Sequence, residues 1–120
     1  MLLDSAAYDV PQLMRARHPP LFDRAFGSDP QAWRAASPQH RLRERMAPLL
    51  AVCGTSRAHA CARAEAFAAK ARSFGGRASV LRQDLSHGDI NGQLGLPGGY
   101  TAAVEDFLRT LDESVAVRLA

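Results

Sequence analysis

His87 is the residue whose type and setting most readily do chemistry. It lies in Asp84-Leu85-Ser86-His87-Gly88-Asp89, a few positions beyond a predicted parallel strand and ahead of a glycine-rich stretch ending at Gly99. Parallel sheets place their sites beyond the carboxyl ends of the strands. Imidazole is also the side chain best suited to take and return a proton near neutral pH. The competing reading is a loop histidine bonded to backbone, and position alone does not separate the two. Asp84 and Asp89 are the nearby carboxylates, although carboxylates in such loops more often shape turns or face water.

The other reactive side chains form weaker patterns. Gly54-Thr55-Ser56-Arg57-Ala58 follows an apolar run and precedes a helical stretch, the setting of a nucleophile elbow with alanine for its last glycine. A capped helix start explains the same residues more simply. Cys53 lies inside Leu49-Leu50-Ala51-Val52-Cys53 and reads as a small buried hydrophobe, with Cys61 eight residues on at no metal or redox spacing. Two such cysteines and no signal peptide point to a reducing, cytoplasmic setting. His18, His40, His59 and His87 make no metal-ligand pattern, so no metal or other cofactor is expected.

The charge balance narrows the partners. The formal net charge is +3, and Lys70 is the only lysine among 15 basic residues. The one dense basic cluster, Arg41, Arg43 and Arg45, reads as a solvated turn, so no nucleic-acid partner is expected. No apolar run approaches the roughly 18 residues of a membrane span.

These residues need a scaffold, and 120 residues with 47% hydrophobic content suit one domain. Residues 1–45 read as an irregular, helical, lid-like segment. It begins with a strand tail over Met1 to Ser5, followed by short helices at Val10 to Arg17, Leu21 to Phe26 and Gln31 to Ala36, with a break at Ser37-Pro38. Residues 46–120 read as a βαβα core. Leu49 to Cys53 is apolar enough for a strand buried on both faces. Ala60, Ala64, Phe67, Ala68 and Ala71 make the stripe of an amphipathic helix over 59–73. Gly75-Gly76 stops it, and Ala78 to Gln83 reads as a second strand. One βαβ unit requires parallel strands, so the class is α/β. A long loop carries His87, and a last helix buries Tyr100, Val104, Phe107, Leu108 and Leu111.

From Leu2 to Leu111 the chain resembles the C-terminal half of an α/β-hydrolase of the esterase/lipase type. The most specific stretch is Asp84-Leu85-Ser86-His87-Gly88-Asp89-Ile90-Asn91-Gly92-Gln93-Leu94-Gly95, which looks like that group's catalytic-histidine loop. Tyr100-Thr101-Ala102-Ala103-Val104 with Phe107-Leu108 resembles its terminal helix. Leu3-Asp4-Ser5-Ala6-Ala7-Tyr8-Asp9-Val10-Pro11 resembles the segment leaving the strand after the nucleophile's helix, and Phe26-Gly27, Trp33 and Ser37-Pro38 resemble the run before the acid-bearing strand. The resemblance implies part of a three-layer hydrolase fold and a Ser–His–acid triad, of which His87 matches the histidine. It places the acid in the turn after Leu49 to Cys53, but Gly54 to Cys61 holds no carboxylate, and Arg57 or His59 stands there. No G-x-S-x-G elbow is found.

The function so implied is carboxylic-ester hydrolysis of a small-molecule substrate, with the chain inactive on its own. Its partner would be an N-terminal half supplied by another chain, or a further copy in a homo-oligomer. The alternative is a non-catalytic binding or assembly protein derived from the same fold and made oligomeric by edge-strand pairing.

Overall fold

The computed structural model covers all 120 residues. It is mixed α/β, built on a three-stranded parallel sheet in the order β1-β2-β3, where β1 is Leu2–Leu3, β2 Leu49–Gly54 and β3 Ala78–Gln83. β2 is central, and all six of its residues are buried. Successive side chains along a strand point to opposite faces, and β2 uses both. Leu49, Ala51 and Cys53 pack with Ala60, Ala64, Phe67, Ala68 and Ala71 of α5 (Ala60–Ser73). Leu50 and Val52 pack on the other face, with Ile90 of α6 (His87–Gly92) and with Tyr100 and Val104 of α7 (Gly99–Arg109). The expected βαβ unit is present, with Leu49 opposite Ala78 and Gly54 opposite Gln83.

Three readings of the chain need correction. Residues 84–99 are not one long loop, because α6 occupies their centre. Ser86 Oγ accepts from the Asp89 N–H at 3.1 Å and donates to Asp89 Oδ2 at 2.7 Å, a cap that starts a helix despite the glycines around it. Leu111 is exposed rather than buried, since α7 ends at Arg109 and the chain turns into α8 (Glu113–Arg118). Part of the first third also reaches the interior. Helix α1 (Val10–Arg15) sets Val10, Leu13 and Met14 into the interior, and Tyr8 stacks on Phe67 with ring centroids 5.2 Å apart. Ser37, fully buried, ties this part together by accepting from the Val10 N–H. Helices α2 (Pro20–Phe26) and α3 (Pro30–Ala36) bury no residue, and α4 (Pro38–Arg41) begins at the proline that breaks α3.

Cys53 and Cys61 form a disulfide, contrary to the expectation of two separate thiols. Their spacing of eight carries no such signal. The turn at 55–59 folds back and brings the two Cα atoms within 5.2 Å. Cysteine usage therefore gives no support to a reducing compartment. Closing so short a loop is worth about 2.5 kcal/mol in the chain-entropy model. Replacing both cysteines with alanine is expected to lower the urea-unfolding free energy by that order, and adding reductant should lower the midpoint of the parent chain alone.

No helix is long and apolar enough to cross a membrane.

Candidate functional site

The carboxyl ends of all three strands converge on one cluster. Asp4 follows β1 directly, Arg57 lies three residues beyond β2, and His87 lies four beyond β3. The Asp4 N–H still donates to Val52 O at 2.7 Å, so the residue extends the ladder by one step. Its φ of 50° then turns the chain out of the sheet. Left-handed backbone is uncommon for a side-chain-bearing residue, though Asp and Asn tolerate it best, and such strain gathers at functional sites.

The Asp4 side chain is fully buried, and both of its oxygens are used. Oδ1 accepts from the Gly54 N–H at 2.8 Å. Oδ2 lies 2.9 Å from His87 Nδ1 and 3.4 Å from Arg57 Nη1. Arg57 Nη2 also donates to the Asp4 carbonyl at 2.8 Å. Arg57 Nη1 stands 3.5 Å from His87 Nδ1 as well, but that nitrogen cannot both donate to Asp4 and accept from Arg57. The shorter contact to a buried carboxylate decides the tautomer: Nδ1 carries the proton and Asp4 accepts it. Nε2 is then left as an acceptor, and no side chain of the protein hydrogen-bonds to it. The ring is 58% exposed at the side-chain level while the carboxylate beneath it is at 0%. A base oriented by a buried acid and open on its far side is thus assembled from three strand ends.

His87 is held from two sides. Its carbonyl accepts from Asn91 Nδ2 at 2.8 Å, and Ser86 caps the helix it begins. The two carboxylates nearest in sequence go elsewhere. Asp84 Oδ1 accepts from Thr55 Oγ1 at 3.4 Å, and Asp89 is occupied with Ser86. Ser56 is exposed and makes no hydrogen bond to His87, and it does not cap α5 either. That helix starts at Ala60 behind His59, whose φ of 64° closes the turn. His18 bonds to Asp23, and His40 bonds to Ser37.

Sequence reasoning missed Asp4 as the partner of His87. The available signal was its place at the end of a buried parallel strand, the same sheet end that made His87 worth attention. Arg57 stands where the resemblance expects an acid, and the carboxylate reaches the ring from the neighbouring strand instead.

Tyr8 lies against this cluster. Its pKa is pushed up to about 12, first by burial and then by the Asp4 charge, with Arg57 acting in the opposite sense. Its hydroxyl is buried without a hydrogen-bond partner. A raised folded pKa means the native state holds the proton more tightly, so this contribution to stability is present below pH 10 and lost as pH rises toward 12. Tyr8→Phe removes an unpaired buried hydroxyl. The variant is expected to equal or exceed the parent in stability at pH 7, and to lose less stability between pH 10 and 12 in urea titrations. A Tyr8→Phe variant that unfolds more readily at pH 7 would show that the hydroxyl has a partner.

An open cleft of about 450 Å³ adjoins the cluster. Asp4, Arg57 and His87 form one end, Ser5, Ala6 and Ala7 the floor, and Leu21, Phe22, Ala25 and Phe26 of α2 the wall. No group of three or more His, Cys, Asp or Glu side chains is placed to hold a metal ion. No family model, curated protein or solved structure matches the chain.

Proposed function

We propose that Asp4 and His87 are the acid and base of a hydrolytic triad acting on a carboxylic ester, with the nucleophilic hydroxyl presented to His87 Nε2 from outside these 120 residues. The observation that carries this reading is the 2.9 Å contact between the buried Asp4 carboxylate and His87 Nδ1, with Nε2 left unbonded. In that tautomer Nε2 takes the proton of the attacking hydroxyl and later gives it to the leaving alcohol, while Asp4 stabilises the imidazolium formed between the two steps. Arg57 offsets the Asp4 charge and anchors its backbone. The resemblance of residues 84–95 to the histidine loop of esterases supports the same chemistry, and Asp4 supplies the acid missing from the turn after β2.

The remaining reading is a binding or assembly protein of this fold. It draws on the outer edge of β1, which pairs with no strand of the chain.

The coding sequence immediately upstream distinguishes the two, because the enzyme reading expects a strand–G-x-S-x-G–helix segment there, in frame or in an adjacent reading frame. The polypeptide extended to include it should release p-nitrophenol from short p-nitrophenyl esters. His87→Ala should lower that rate about 10³-fold or more. The 120 residues alone should show no turnover above background. Turnover indifferent to His87→Ala would sink the assignment, and turnover by the chain alone that Ser56→Ala abolishes would return the nucleophile to the turn after β2.

A further inference from the structure

We infer that a second open cleft, bounded by α1, α3 and α4, binds the phosphate monoester of a sugar or other polyol. Its volume is about 440 Å³, and it shares no residue with the cleft beside His87. Arg15, Arg34 and His40 line it, each from the last turn of a different helix. One cation in a last turn is ordinary, because the helix dipole favours it there. The dipole does not explain why three helices deliver theirs to one cavity. Neither Arg15 nor Arg34 has a carboxylate within salt-bridge reach, so both charges are unspent.

The imidazole of this cleft is held from the interior. Ser37 is fully buried, and its Oγ lies 2.8 Å from His40 Nδ1. The same oxygen accepts from the Val10 N–H at 3.1 Å, and the Gln39 N–H donates to the Tyr8 carbonyl at 2.7 Å. Residues 37–40 are thereby tied to the start of α1. The Ser37 hydroxyl can donate to Nδ1, or accept from it while turning its hydrogen to the Tyr8 carbonyl 3.4 Å away. The first arrangement suits a neutral ring protonated at Nε2, the second an imidazolium. Both present an N–H at Nε2, the ring atom with no partner in the chain. Two guanidinium forks and one imidazole N–H match the three terminal oxygens of a monoester rather than the two of a diester. Asp9 is the one carboxylate of the cleft. Its Oδ1 caps α1 by accepting from the Gln12 N–H at 2.9 Å, which leaves Oδ2 to accept from a ligand. A carboxylate there repels a bare anion and takes hydroxyl protons, so the group attached to the phosphate is a hydroxylated one. The Gln12 side chain, also on the lining, adds an amide donor and acceptor.

The probe is glucose 6-phosphate, titrated into the 120-residue chain by calorimetry and ¹⁵N correlation, with glucose and inorganic phosphate as controls. Saturable binding is expected, with amide shifts at residues 9–16, 34 and 37–40 and shifted His40 ring resonances. Inorganic phosphate should bind several-fold more weakly, and glucose should not saturate. Arg15→Gln and Arg34→Gln should each weaken glucose 6-phosphate about tenfold, as the loss of a charge-assisted hydrogen bond does. Both side chains are exposed, so the fold survives either change. Arg118→Gln removes the same charge from α8, outside the cleft, and should change affinity less than about twofold. Asp9→Asn keeps the helix cap and should bring the affinities for glucose 6-phosphate and inorganic phosphate within about twofold of each other.

Three results would each overturn the proposal: no saturable binding, an equal loss with Arg118→Gln and Arg15→Gln, or shifts centred on the adjoining groove at His59, Arg63 and Ala66. Inorganic phosphate bound by the parent chain as tightly as glucose 6-phosphate would overturn the assignment to a sugar or polyol.

Discussion

Asp4→Asn should abolish general-base function at His87 while leaving the sheet in place. The carboxylate has two assigned oxygens, one on the Gly54 N–H and one on His87 Nδ1. An asparagine can satisfy only one of these partners as a carboxylate does. With its oxygen kept on Gly54, its NH₂ faces His87 Nδ1 and the Arg57 guanidinium. The ring must then move its proton to Nε2 to accept that NH₂, and Nε2 can no longer take a proton from a hydroxyl. Catalysis by the extended polypeptide is expected to fall about 10³- to 10⁴-fold. In the 120-residue chain the same event should be visible by ¹⁵N correlation as a change of tautomer at His87. Stability should fall by about 1–3 kcal/mol, because Arg57 loses its counter-charge. Arg57 is 35% exposed, and water softens that loss. Asp84→Asn is the control: its carboxylate touches Thr55 and not the ring, so the tautomer should not change. An Nδ1–H signal unaltered by Asp4→Asn would mean the carboxylate does not hold the ring.

Why Asp4 escaped sequence reasoning has a physical answer. β2 and α5 are legible because their signals are local: a continuous apolar run, and an i, i+4, i+7, i+8, i+11 stripe. β1 is two residues long and has no period to detect, and its partner Ala51 lies 49 positions away. Only parallel pairing across α1 to α4 brings Asp4 to the same sheet end as His87. The disulfide was hidden similarly, since its closure depends on how the turn at 55–59 folds and not on the number eight. α6 is a different case. Ser86 and Asp89 cap it in the structure, while the glycines between and after them read as a loop in the sequence. His87 was legible because a histidine just past a buried strand needs no long-range information to be noticed. The resemblance expects an acid after β2, whereas the carboxylate that touches the ring follows β1.

The arrangement also shows how a carboxylate on a neighbouring strand reaches the ring. Adjacent parallel strands end about 4.8 Å apart, so a carboxylate after β1 or after β2 can approach the same imidazole. In this chain the β2 turn carries the cation instead. Arg57 bonds the Asp4 carbonyl and flanks its carboxylate, so the two strand ends are cross-tied below the ring. A charge placed on the opposite strand end compensates a buried carboxylate that would otherwise be costly.

Gly54→Ala tests whether the close approach of β2 to the His87 segment sets the site. An alanine Cβ at Gly54 would lie 2.8 Å from the Leu85 carbonyl oxygen, a backbone atom that cannot swing away. It would also lie 3.4 Å from Ile90 Cδ1 and 3.6 Å from Asp4 Oδ1. The strand after Ala51 is fully buried, so relief must come from the connection between β3 and α6 moving outward. Overpacking of this kind costs about 1–3 kcal/mol. The same movement carries His87 away from Asp4, because Leu85 is two residues before it and Ile90 anchors the helix it begins. A displacement on the order of 1 Å is enough to cost about 10²-fold in rate. The variant is therefore expected to lose stability and the Asp4–His87 contact together, read as a lower urea midpoint and shifted His87 ring resonances. Gly92→Ala, at the end of α6, is the matched comparison: no atom lies within 4 Å of its added Cβ. It should be neutral or stabilising by a few tenths of a kcal/mol, as expected for alanine over glycine in a helix. If Gly54→Ala matches Gly92→Ala in both readouts, the contact at Leu85 does not set the position of the ring, and the convergence of the three strand ends must be held by Asp4 and Arg57 alone.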